Sequence, residues 1–129
     1  MKFTMLLLFI TLTPTMVLAE TSNKYDKIYS DCVQEQGPIN NTVVAVCSEN
    51  ASAAAKKEMN RLYKIIYKYI SEQSQDDAQQ FEDSQKAWLK YRNNHCELMG
   101  AYVGSPMYDY CPMELNIARV LELQTMANE

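Results

Sequence analysis

The sequence predicts an all-α fold, a small antiparallel bundle of three main helices plus a short N-terminal helix, stapled by two disulfides. Three observations point there. Apolar residues recur at steps of three and four over long stretches, the period of a helix that buries one face. Only three glycines and four prolines occur among 129 residues, too few for a turn-rich β sandwich or barrel. Four cysteines fall into two pairs whose members are fifteen positions apart. With 47% apolar and 22% charged residues, the chain has the composition of one globular domain.

The N-terminus reads as a separate unit. Lys2 precedes an apolar run from Phe3 to Leu12, and Val17-Leu18-Ala19 follows, the layout of a secretory signal peptide with cleavage after Ala19. Residues 1–19 are thus the expected leader and 20–129 the mature domain. Thr11, Thr13, Pro14 and Thr15 interrupt a run already short of the about 20 apolar residues that a spanning helix needs. No cysteine adjoins the cleavage point, so no lipid anchor is expected. The product is predicted to be a periplasmic or secreted bacterial protein, without a membrane anchor once the leader is removed. Loss of Lys2 leaves eleven cations against sixteen carboxylates, a net charge of -5. Such a chain is a poor ligand for nucleic acid and a good one for a basic protein.

An even cysteine count in an oxidising compartment argues for disulfides. Along an unbroken helix fifteen positions would separate two Cα atoms by about 22 Å, whereas a disulfide tolerates roughly 4.4 to 6.8 Å. Gly37-Pro38 breaks one intervening segment, and Gly100, Gly104 and Pro106 break the other. The expected pairs are therefore Cys32 with Cys47 and Cys96 with Cys111, each closing a loop that stabilises by about 3 kcal/mol.

The first helix is carried by Tyr25, Ile28 and Tyr29 and ends near Gly37-Pro38. The second, capped at Asn40-Asn41, carries Val43, Cys47, Ala51, Ala55, Met59, Leu62, Ile66 and Tyr69 or Ile70. Ser71 to Asp77 is the next turn, with Ser74 or Asp76 as cap. From about Asp76 to Met99 the stripe is Ala78, Phe81, Gln85, Trp88, Leu89, Arg92 and Cys96, with Trp88 as a large core residue. Gly100 to Tyr110 reads as a loop, and Pro112 as the first turn of a last helix bearing Met113, Ile117, Val120, Leu121 and Gln124.

The pattern Met59-Asn60-x-x-Tyr63, then Gln85-Lys86-Ala87-Trp88-Leu89-x-Tyr91-Arg92-x-x-x-Cys96, then Gly104-Ser105, Cys111 and Arg119 resembles the LprI-type lysozyme inhibitors, a family of small exported bacterial helical domains. The resemblance runs from about Asp31 to Leu123. It implies a binding protein that blocks a cell-wall-degrading lysozyme, and the chain's negative charge would steer it toward a basic one. Asn60, Tyr63, Gln85, Trp88, Arg92 and Arg119 make up its structural motif. Arg92 and Arg119 are expected to bond backbone carbonyls or carboxylates where helices meet, and Asn60 with Gln85 to tie helices across the core.

No catalytic residue, metal or cofactor is predicted. His95 is the one histidine, with no Ser or Asp marked to work with it. A soft Cu(I) set of His95, Cys96, Met99, Met107 and Met113 is outweighed by methionine's ordinary use as core filler. The segment between Cys96 and Cys111 holds Tyr102, Tyr108, Asp109 and Tyr110, a Tyr-rich loop that a disulfide would pre-order as a contact surface for lysozyme or another basic protein. The competing class is an envelope protein without lysozyme activity, such as a toxin-immunity, stress or metal-handling factor.

Overall fold

The computed structural model describes residues 17–128, with side chains from Lys24 onward. The expected leader, apart from its last three positions, lies outside the described residues. Four helices follow one another: α1 (Val17–Gln36), α2 (Asn41–Gln73), α3 (Gln75–Tyr102) and α4 (Met107–Ala127). There is no strand among the described residues. α1 has 20 residues against 21 in α4, so helix lengths do not set the first apart as short.

Each boundary has a local cause. Gly37 takes φ +90°, a left-handed conformation that glycine adopts without a Cβ clash, and Pro38 stops α1 from continuing. Asn40 then caps α2: its side-chain oxygen accepts from the amides of Thr42 (2.9 Å) and Val43 (3.1 Å), satisfying donors that the first helical turn leaves open. Ser74 alone separates α2 from α3. Its backbone is extended, its amide bonds the Ile70 carbonyl, and its hydroxyl accepts from the Asp77 amide at 3.2 Å.

The third connection differs from the sequence reading. α3 runs on to Tyr102, and α4 begins at Met107, so the expected loop from Gly100 to Tyr110 shrinks to the four residues 103–106. Pro106 has helical dihedrals and starts α4. The amides of Met107, Tyr108 and Tyr110 bond the carbonyls of Gly104, Ser105 and Pro106. Pro112, expected in the first turn, therefore sits inside α4.

α2 packs against all three other helices, and α4 is its main partner. α1 and α3 each touch α2 and α4 but not each other among the described residues. The core comprises Tyr25 of α1, Ala51, Ala55, Met59, Leu62 and Ile66 of α2, Phe81 of α3, and Met113, Ile117, Val120 and Leu123 of α4. The α2 stripe read from sequence is buried from Val43 to Ile66, and at its end Ile70 turns inward while Tyr69 is 67% exposed. Fully burying a Val, Leu, Ile, Phe or Met side chain stabilises by about 1.5 to 3 kcal/mol.

Both expected disulfides are present: Cys32–Cys47 with Cα atoms 5.5 Å apart and Cys96–Cys111 with Cα atoms 5.4 Å apart. Each ties the helices flanking one hairpin turn. The Asn41 side-chain Nδ2 donates to the Ser105 hydroxyl at 2.9 Å, joining the two turns, so both staples brace one end of the bundle. The disulfides fit an oxidising, extracytoplasmic compartment. Among the described residues, no helix is long and apolar enough to cross a membrane.

Candidate functional site

The motif residues of α3 and α4 meet in a polar cluster. Arg92 donates from Nη1 to the Asn116 side-chain oxygen at 2.7 Å, and from Nε and Nη2 to Asn93. Asn116, fully buried, passes its own amide hydrogen to the Ser52 hydroxyl at 2.8 Å. One chain of hydrogen bonds thereby links α3, α4 and α2. Arg119 donates from Nε to the Gln85 oxygen at 3.0 Å and from Nη1 to Glu122 at 2.6 Å. The expected backbone-carbonyl or carboxylate partner exists only for Arg119, through Glu122. For Arg92 the partners are amide oxygens, which also satisfy a guanidinium whose pKa burial pulls down.

Two further expectations change. Trp88 is half-buried, not a core residue. The Arg92 and Arg119 guanidiniums lie 5.4 and 5.6 Å from its ring centroid, within cation–π range. Asn60 and Gln85 do not bond each other; the Gln85 oxygen accepts from Arg119 instead. They instead line a shallow groove of about 210 Å³ between α2 and α3, together with Tyr63. The Tyr63 ring stacks on Phe81 at 5.3 Å and Tyr67 at 5.9 Å.

The expected contact residues divide. Tyr102, the last residue of α3, is 85% exposed, and Tyr108, in the first turn of α4, is partly open. Asp109 and Tyr110 are half-buried. Tyr110 packs edge-on against Tyr29 at 5.7 Å, and burial, followed by the negative charge of Glu114, raises its phenol pKa. The Glu114 carboxyl is raised in turn by burial and by Asp26, an effect that its hydrogen bond with Tyr110 partly offsets. Tyr110 is thus committed to the α1–α4 contact.

Two features of this end are absent from the sequence reading. The first is Ile39, in the α1–α2 turn and 70% exposed, which joins Tyr102 and the 66%-exposed Val103 at the disulfide-braced tip. The second is charge. Between residues 28 and 55, and again between 93 and 118, there is no Lys or Arg, while Asp31, Glu35, Glu49, Glu97, Asp109 and Glu114 fall there. These are the segments that form the braced half of the bundle. Lys27 and Lys56, just outside them, pair with Asp31 (2.7 Å) and Glu49 (3.3 Å). Glu35, Glu97 and Asp109 have no ion-pair partner among the described residues. Charge counted segment by segment would have revealed this tip. An exposed apolar patch with a single-sign rim suits a partner of opposite charge.

Cys96, the one thiol donor in the imagined soft-metal set, is bonded to Cys111. His95 stacks on Tyr91 at 5.4 Å.

No curated protein and no solved structure matches the chain. The family model described as lysozyme inhibitor LprI matches residues 32–123. That stretch begins at the first disulfide cysteine, contains both staples and the Arg92–Asn116–Ser52 chain, and ends at the last core residue of α4. Matched over well more than half of its length, with both staples inside the match, this chain belongs to the LprI lysozyme inhibitor family.

Proposed function

We propose that the protein is exported, loses its leader after Ala19, and acts in the periplasm or outside the cell by binding and blocking a basic cell-wall-degrading lysozyme. The observation that carries this reading beyond family membership is the tip: Ile39, Tyr102 and Val103 exposed within a cation-free, carboxylate-bearing half of the molecule. A rigid apolar surface loses little conformational entropy on docking. The two disulfides and the Asn41–Ser105 bond supply that rigidity. The negative rim would steer a basic enzyme into register, and the protruding tyrosine and aliphatic side chains would occlude its sugar cleft. Tyr102 and Tyr108 are the contact residues of first choice, Asp109 contributes charge, and Tyr110 acts by holding α4 against α1.

The test is lysis of cell walls by several classes of lysozyme with and without the purified protein. At least one class should be inhibited, and inhibition should weaken as salt screens the opposite charges. Inhibition of no class, or inhibition indifferent to salt, would overturn the reading. Given inhibition, Tyr102→Ala or Ile39→Ala should cost about 2 kcal/mol or more in affinity, as a central anchor does, with unchanged melting.

A further inference from the structure

We propose that the groove between α2 and α3 is a binding site for a neutral N-acetylated sugar, independent of the lysozyme-binding tip. The argument begins with Gln85, which is only 8% exposed. Its oxygen accepts from Arg119 Nε at 3.0 Å. Arginine has donors only, so it fixes which end of the amide carries the oxygen. The Gln85 Nε2 donors then have no protein partner, and they are not sealed in the core either. Gln85 lines the groove, so a buried, orientation-locked amide donor is available to an occupant there. Water can reach that donor in the groove, and a ligand carbonyl would take its place.

The other walls narrow the chemistry. Asn60 lies on α2 across from Gln85 on α3, with no bond to the described residues, and offers a donor and an acceptor. Met59 and Leu89 contribute apolar surface beside the two amides. An acetamido group carries the matching three features within one short substituent: a carbonyl for Gln85, an N–H for Asn60 and a methyl for the Met59 and Leu89 side chains.

Charge and size narrow it further. At the rim Lys86 is paired with Glu82 at 2.5 Å, so the groove presents hydrogen-bonding capacity without net charge and favours neither an anion nor a cation. Its volume of about 210 Å³ is below the roughly 300 to 1,000 Å³ of pockets for drug-sized ligands and suits one pyranose ring. Hydroxyls on such a ring would meet the Glu82–Lys86 pair and Asn60.

The experiment is a titration of the full protein with N-acetylglucosamine, followed by NMR at the Gln85 and Asn60 side-chain amides and by the fluorescence of Trp88, the only tryptophan. Saturable shifts at both amides are expected, with glucose, which has a hydroxyl in place of the acetamido group, binding at least about tenfold more weakly. Gln85→Glu keeps an oxygen for Arg119 and so preserves the fold, but removes the donor. It should weaken the sugar about tenfold, in line with the loss of a hydrogen bond and the unmatched carbonyl left behind. Asn60→Ala, an exposed change, should weaken it as well. Absence of shifts, an equal response to glucose, or unchanged affinity in both variants would overturn the proposal. Tighter binding of N-acetylalanine amide would also overturn it, because the groove would then be reading a peptide. None of these readouts depends on lysozyme, so failure here and failure of inhibition are separable.

Discussion

Asn116 has no solvent to turn to, and both ends of its amide are engaged: the oxygen by Arg92 at 2.7 Å and the nitrogen by Ser52 at 2.8 Å. Asn116→Ala would remove the middle of the chain, leaving the Ser52 hydroxyl and one Arg92 donor without partners. A loss of about 2 to 3 kcal/mol is expected from the unsatisfied buried groups and the lost charge-assisted bond. Ser48, one turn before Ser52, is the contrast. It is fully buried, and its hydroxyl is without a hydrogen-bond partner. Ser48→Ala should therefore raise stability, by up to about 1 kcal/mol. Urea denaturation of both variants decides this; a silent Asn116→Ala would refute the network, and a destabilising Ser48→Ala would show that its hydroxyl is satisfied. The sequence shows Gln85, Arg92 and Cys96 on one helix face, because periodicity within a helix is local information. Which residue of α4 faces Arg92 depends on how α3 and α4 align, and no spacing within either helix encodes that. For this reason Asn116 is hidden in the sequence, and Arg119 is visible as a motif residue without its Gln85 partner.

At the scale of elements, stripes and caps are enough to locate α2 and most of α3, since Asn40 and Ser74 bond the amides that their positions imply. The α3–α4 connection departs from expectation because Gly100, a breaker by residue type, lies inside α3. It does so for a packing reason: a Cβ there would collide with the ring of Tyr108. Helix α3 gives up the propensity advantage of alanine, about 1 kcal/mol, to let the first turn of α4 lie against it. Gly100→Ala should thus displace the Tyr108 ring, which is partly exposed. The expected outcome is melting close to wild type, as the gained helix propensity offsets lost packing, with weakened lysozyme inhibition. Once Tyr108→Ala has removed the ring, glycine and alanine at position 100 should inhibit equally. If the double change is as damaging as the sum of the two single ones, Gly100 acts by another route. Pro112 departs from expectation by a similar logic. A proline well inside a helix removes one amide donor, yet here the Cys96–Cys111 bond, one residue away, holds the chain in place.

Across the whole molecule, charge is sorted along the bundle. Every Lys and Arg from Lys24 onward falls at positions 24–27, 56–68, 86–92 or 119, outside the two segments that form the braced end. A net charge alone would pull a basic partner to the protein without choosing a face; this distribution chooses one. Charge reversals of equal size should therefore have unequal effects. Glu35→Lys and Glu97→Lys place a cation in the cation-free half, and both sites are exposed. Glu72→Lys makes the same change near the end of α2, where Glu72 is exposed and faces Lys68 at 4.0 Å. Each alters net charge by two, so a non-specific attraction would respond identically to all three. If the partner docks at the tip, the first two should slow association with a basic lysozyme by about tenfold or more at low salt, and the third should barely change it, because local rather than total charge governs the encounter. Dissociation rates should move little in all three, as rim charges act mainly on approach. Association kinetics at two ionic strengths make the measurement. Equal slowing by Glu35→Lys and Glu72→Lys would place the contact away from the braced end, and a difference that persists at high salt would mean that the substitutions act by contact and not by field.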